Sequence, residues 1–142
     1  MPPIAMTTPL WCLLGFVAWT LLLVTAIGGA RGMQVLSGKM QANQFPSGSP
    51  HGGDAYWRLN RAHMNCLENL PIFASVVLTA SVLGLQSSTL DMLATIVLLA
   101  RIGQTTAHVS SGSNMAVNVR FTFFLTQIVC IVGMMIVIAG SR

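Results

Sequence analysis

Arg61, Asn65 and Glu68 stand at i, i+4 and i+7 in the stretch Arg61-Ala-His-Met-Asn-Cys-Leu-Glu-Asn-Leu-Pro-Ile-Phe73. On a helix of about 3.6 residues per turn they share one face, and Arg58, one turn earlier, widens the set to an arc of roughly 80°. His63 falls outside that arc, where a structural or interfacial role is the plainer reading. The residue types define a chemistry. Guanidinium groups take carboxylates through paired N–H donors, and a carboxylate takes an ammonium. An amide offers both a donor and an acceptor. An anionic or zwitterionic small molecule fits such a set. Charge is scarce in this chain, with seven Lys and Arg and three Asp and Glu in 142 residues, so a glutamate leading straight into apolar sequence calls for a partner.

A second polar stripe offers partners. Arg101, Gln104, Thr105 and His108 are spaced i, i+3, i+4 and i+7, again along one helical face. Arg101 and Glu68 each lie about seven residues from the same end of their helices, roughly 10 Å deep at 1.5 Å per residue, and pair by depth. Arg120 opens a further apolar segment at a shallower level, with Phe124 and Gln127 along its face. A plainer account exists for each member. A single Glu–Arg pair can hold a bundle together, Arg120 can snorkel to an interface, and His108 can be a helix-end group. Four arginines, an asparagine and a glutamate in one layer exceed what such a tie requires. Apolar walls beside that layer would admit a lipophilic second substrate from the bilayer, so a polar thiol peptide meeting a hydrophobic electrophile fits the whole.

The elements that carry these groups are transmembrane helices. The chain is 54% hydrophobic and 7% charged, against about 25% charged in soluble domains. Its mean hydropathy is +0.72. The pattern predicts an all-α membrane protein, a bundle of four transmembrane helices forming a single domain over 1–142, with spans at about 10–36, 61–85, 90–109 and 119–140. Residues 37–60 read as one long polar connection broken by Pro46, Ser47, Gly48, Pro50, Gly52 and Gly53. Pro71 removes a backbone donor one turn beyond Glu68 and favours a kink. Cys12, Cys66 and Cys130 are far apart, make no metal-ligand pattern, and read as packing thiols. The net charge of +4 comes from too few groups to imply nucleic-acid binding. Lys39, Arg58, Arg61 and Arg120 gather on one side, and Arg142 and Asp91 are all the other side holds. The long loop is therefore expected on the cytoplasmic side and the termini opposite. No basic leader precedes the first apolar run, so that span is expected to be retained. Short length and the lack of a retention signal point to a bacterial inner membrane, with the endoplasmic reticulum as the alternative.

The motif Arg61-Ala-His-x-Asn-x-x-Glu68, followed by an apolar run with an early proline, resembles the MAPEG family, the membrane-associated proteins of eicosanoid and glutathione metabolism. That family includes microsomal glutathione transferases, leukotriene C synthase and microsomal prostaglandin E synthase. The resemblance implies a homotrimer of four-helix subunits with glutathione, as co-substrate, bound between neighbours. It implies a glutathione S-transferase or peroxidase acting on a lipophilic small molecule. Arg61, Asn65 and Glu68 match the second-helix glutathione ligands, and Arg101 matches a third-helix arginine. Arg58 and His108 join the expected glutathione-binding set. Arg120 matches the fourth-helix arginine proposed to stabilise the thiolate. His108 and Phe124 stand where several members carry tyrosine, so eicosanoid specificity does not carry over. A non-catalytic lipid- or glutathione-binding scaffold of the same fold is a second reading. A small four-span transporter using Glu68 is a third.

Overall fold

The computed structural model describes residues 5–46 and 48–141. Pro2 and Pro3 of the leader, Ser47 of the loop and Arg142 of the charge count lie outside the described residues. Four helices follow one another: α1 (Thr8–Leu36), α2 (Asp54–Val82), α3 (Ser88–Ser110) and α4 (Asn114–Ala139). Each is long and apolar enough to cross a membrane, and the chain is a multi-pass membrane protein. A helix is the solution that satisfies every backbone group within its own segment when no water is at hand.

Two boundaries differ from expectation. α2 begins at Asp54 rather than near 61, and α4 at Asn114 rather than near 119. Hydropathy marks the part of a helix that lies in hydrocarbon, whereas the helix itself continues through polar turns above it. Asp54 in the first turn of α2 complements the helix dipole. Ser113 Oγ accepts from the Ala116 amide at 3.3 Å and starts α4. The long connection therefore narrows to residues 37–53, and Arg58 is helical. The turn between α2 and α3 is closed by Gly84, whose φ of 66° suits a residue without a Cβ. Leu85 N donates to Ala80 O at 3.0 Å and Gly84 N to Ser81 O at 3.1 Å, which satisfies the last carbonyls of α2. Pro71 lies inside α2 without ending it.

The up-and-down order packs α1 on α2 and α3, and α3 broadly on α4, while α2 and α4 barely touch. Phe16 of α1 meets Phe73 of α2 with ring centroids 5.8 Å apart. Around them Cys66, Val77, Ala94, Val97 and Met134 are fully buried. Leucines, valines and methionines such as Leu21, Leu22, Leu99, Val129 and Met135 point outward, as a lipid-facing surface requires. The close approach of α3 to α4 depends on Gly103, where an added Cβ would stand 2.7 Å from Phe123 Cζ. Gly103→Val is expected to cost about 1–3 kcal/mol through overpacking. Thermal unfolding in detergent measures it, and Phe123→Leu in the same background should recover part of the loss.

Candidate functional site

Asp54 to Arg61 form the first two turns of α2, which rise above the apolar band and bring Arg58 and Arg61 to the loop end of the bundle. The next two turns carry Asn65 and Glu68 down the same side. α3 runs the other way and brings His108 to this level in its last turn. Arg61, Met64, Asn65, Glu68 and His108 line one groove of ≈ 200 Å³. Four of the expected residues therefore meet. Arg61 and Glu68 are exposed in the single chain, and Asn65 and His108 are half-buried. His108 lies within electrostatic reach of Arg120, Arg61 and Arg58, and its buried Nε2 has no hydrogen-bond partner among the described residues. Three positive charges around one imidazole make this end of the bundle a place for an anion.

Three expected residues take other positions. Arg58 Nε donates to Val109 O at 3.2 Å, which ties the start of α2 to the end of α3. Arg120 is half-buried in the second turn of α4 and contributes charge without lining the groove. Arg101 is drawn into the core, with 1% of its surface exposed. Arg101 does reach across to α2, but its partner is not the expected Glu68. Arg101 Nη1 donates to Asn65 Oδ1 at 2.6 Å rather than to Glu68, which acts on it only at longer range. The reason is angular. Glu68 is turned about 60° around α2 from Asn65, by 100° per residue, and points out of the bundle. The guanidinium lies over the Phe16 ring, 5.2 Å from its centroid. Nε and Nη2 lack hydrogen-bond partners among the described residues, and the buried Cys66 thiol is close without reaching bonding geometry.

Other polar contacts support this layer. Gln127 Nε2 donates to Gln104 Oε1 at 2.9 Å inside the α3–α4 seam, so both amides face the core and not the groove. Arg31 Nε donates to Tyr56 OH at 2.6 Å, and its guanidinium covers Phe45 at 5.3 Å. Arg31 thereby joins the loop-side end of α1 to the first turn of α2. Tyr56 is the chain's one tyrosine, and that scarcity is the signal that could have found it. The groove is not the largest hollow. A cleft of ≈ 530 Å³ lies at the opposite end, between Ser75 and Thr79 of α2, Leu83 just beyond it, and Met135 and Ile138 of α4. Among the described residues no charged side chain lines it, so chemistry and not size locates the site.

The sequence model described as the MAPEG family matches residues 8–140, nearly the whole chain. None of the curated proteins matches the chain.

Removing the Arg58 tie should be felt as stability before it is felt as chemistry. Arg58→Ala deletes a charge-assisted hydrogen bond and is expected to cost about 1.5–3 kcal/mol. Thermal melting of the purified protein checks this, and Arg58→Lys should recover only part because its ammonium lacks the fork.

Proposed function

Because the chain belongs to the MAPEG family, we propose that it is a membrane glutathione transferase acting on lipophilic electrophiles, with peroxidase activity toward lipid hydroperoxides as a related capacity. The observation that carries this reading is the groove that gathers Arg61, Asn65, Glu68 and His108 at the end of two membrane helices, with Arg120 and Arg58 within electrostatic reach. Glutathione has two carboxylates, an ammonium and a thiol. Arg61 offers paired donors to a carboxylate, and Glu68 offers an acceptor to the ammonium. A free thiol with a pKa of about 8.5 is mostly protonated at neutral pH, and a neighbouring guanidinium favours the thiolate. Arginine stays protonated and cannot act as a base, so the role assigned to Arg120 is electrostatic. The thiolate sulfur then forms a bond to the electrophilic carbon as the leaving group departs with its electron pair, and the thiol proton passes to solvent.

The same reading assigns a homotrimer. Arg61 and Glu68 are exposed in one chain at the edge of a membrane segment, where a neighbouring subunit would cover them. It assigns the long loop to the cytoplasmic side, following the positive charges at Arg31, Lys39, Arg58, Arg61 and Arg120. A second reading has one observation in its favour. Arg120 does not line the groove in the single chain, as it would not in a scaffold that binds lipid or glutathione without turnover.

Purified protein, glutathione and a panel of chromogenic electrophiles and lipid hydroperoxides decide between the two. Turnover supports the transferase; tight glutathione binding with no turnover across the panel supports the scaffold. Arg120→Ala is expected to lower kcat on the order of 10²-fold, the scale lost with a charge-stabilising group, while glutathione affinity moves much less. Weaker binding at unchanged kcat would contradict the thiolate role.

A further inference from the structure

Asn65 is the residue that touches both the buried arginine and the groove. Its Oδ1 accepts from Arg101 Nη1 at 2.6 Å, and it lines the groove beside Arg61, Met64, Glu68 and His108. Its backbone oxygen accepts from Asn69 Nδ2 at 3.0 Å, and among the described residues its own amide nitrogen donates to none. An amide can be turned either way about its last bond, and the partners decide which. Here the partner leaves no choice. A guanidinium has five donors and no acceptor, so the atom facing Arg101 is the oxygen. The NH₂ group then takes the other branch of the planar amide, away from Arg101.

We propose that Arg101 is a positioning residue that locks the Asn65 amide with its NH₂ toward the groove, so that this point of the site reads a hydrogen-bond acceptor on the ligand, a carboxylate or peptide carbonyl. The inference rests on the glutathione reading above and adds the polarity of one subsite to it. Two features make Arg101 suited to the task. It is buried to 1% exposure and its guanidinium lies over the Phe16 ring, so it has little room to turn away. Because it bonds to Asn65, it leaves the exposed Glu68 carboxylate outside its hydrogen bonds. A direct Arg101–Glu68 pair would have occupied the groove's one acid. The arrangement separates the two functions: donors at Arg61 and Asn65, an acceptor at Glu68. A charge placed inside a membrane bundle thereby acts on a ligand it does not touch.

Asn65→Asp tests the idea, because it keeps an acceptor for Arg101 and replaces the presented donor by a carboxylate oxygen. One arm needs no ligand. Asn65→Asp should melt no lower than wild type, since it offers Arg101 a charged acceptor, whereas Asn65→Leu should melt several degrees lower. Equal losses in the two variants would overturn the Arg101 contact. The second arm titrates glutathione. Asn65→Asp should bind at least about tenfold more weakly. Arg101→Met should raise the KM for glutathione more than it lowers kcat, and Arg101→Lys, still a donor without an acceptor, should recover most of that change. Asn65→Asp protein that binds glutathione as wild type does would overturn the inference and leave the transferase reading intact. Wild-type protein that binds no glutathione would overturn the transferase reading and the ligand half of this one, while the melting arm still decides whether Arg101 holds Asn65.

Discussion

The guanidinium of Arg101 sits where a membrane bundle can least easily hold a charge. Moving an ion out of water costs several kcal/mol even after the surroundings relax, and arginine cannot escape by losing its proton. Helices α1 and α2 must therefore come to it. Asn65 supplies an oxygen at 2.6 Å and Phe16 supplies a ring face at 5.2 Å. Phe16 in turn packs on Phe73, so the aromatic pair that joins α1 to α2 is also the wall of the arginine site. Three helices are fixed in register by one side chain. The groove follows as a consequence, because the same turn of α2 that reaches inward with Asn65 reaches outward with Arg61 and Glu68.

The chain's other polar groups show why this layer stands out. Hydroxyls can satisfy themselves within a helix by donating to the carbonyl four residues back. Thr20 does so to Phe16, Ser75 to Pro71, Thr79 to Ser75, Thr95 to Asp91 and Thr126 to Thr122. Most serines and threonines in the spans therefore make little structural demand, although Thr95 and Thr105 also meet the Cys12 and Cys66 thiols across helices at 3.8 Å. A guanidinium or a long amide has more donors than one carbonyl can take. These groups make the contacts between helices: Arg101 to Asn65, Gln127 to Gln104, Arg58 to Val109 and Arg31 to Tyr56. All four lie in the loop-side half of the bundle. The opposite half is held mainly by apolar contact around Val77, Leu90, Ala94 and Met134, with the Cys12 thiol against the Thr95 hydroxyl at 3.8 Å as a neutral tie between α1 and α3.

Much of this was legible in the residues. Four apolar runs fixed the number and order of the helices, since hydrophobic length is a strong signal and turns such as Gly84 punctuate it. The i, i+4, i+7 spacing of Arg61, Asn65 and Glu68 placed them on one face, and counting residues placed His108 and Arg101 near them. What could not be read was rotation. Depth along two helices brings Arg101 level with both Asn65 and Glu68, but roughly 60° around α2 separates the residue that faces α3 from the one that faces outward. Sequence alone does not say which way α2 is turned. The early starts of α2 and α4 were missed for a different reason. Asp54 to Asn60 and Asn114 to Asn118 are helical turns of mixed polarity, and hydropathy describes their surroundings more than their backbone.

The division of labour between the two ends of the bundle bears on how a lipophilic and a polar molecule could share it. The end with the long loop has donors in excess of what the fold consumes: Arg61 and the Asn65 amide nitrogen face the groove, and Arg120 and Arg58 charge it from behind. Glu68 is the one acid among the residues lining the groove, and an excess of fixed positive charge beside hydrocarbon is stable only when an anion is held against it or water reaches it. The other end has a cleft that no charged side chain lines among the described residues, between Thr79 of α2, Leu83 just beyond it, and Met135 and Ile138 of α4. A water-soluble peptide approaching the loop side meets charge first. On the glutathione reading, a lipid-borne molecule meets uncharged, mostly apolar side chains until it comes level with Arg61 and Glu68, and that level is where a thiolate and an electrophile would come into contact.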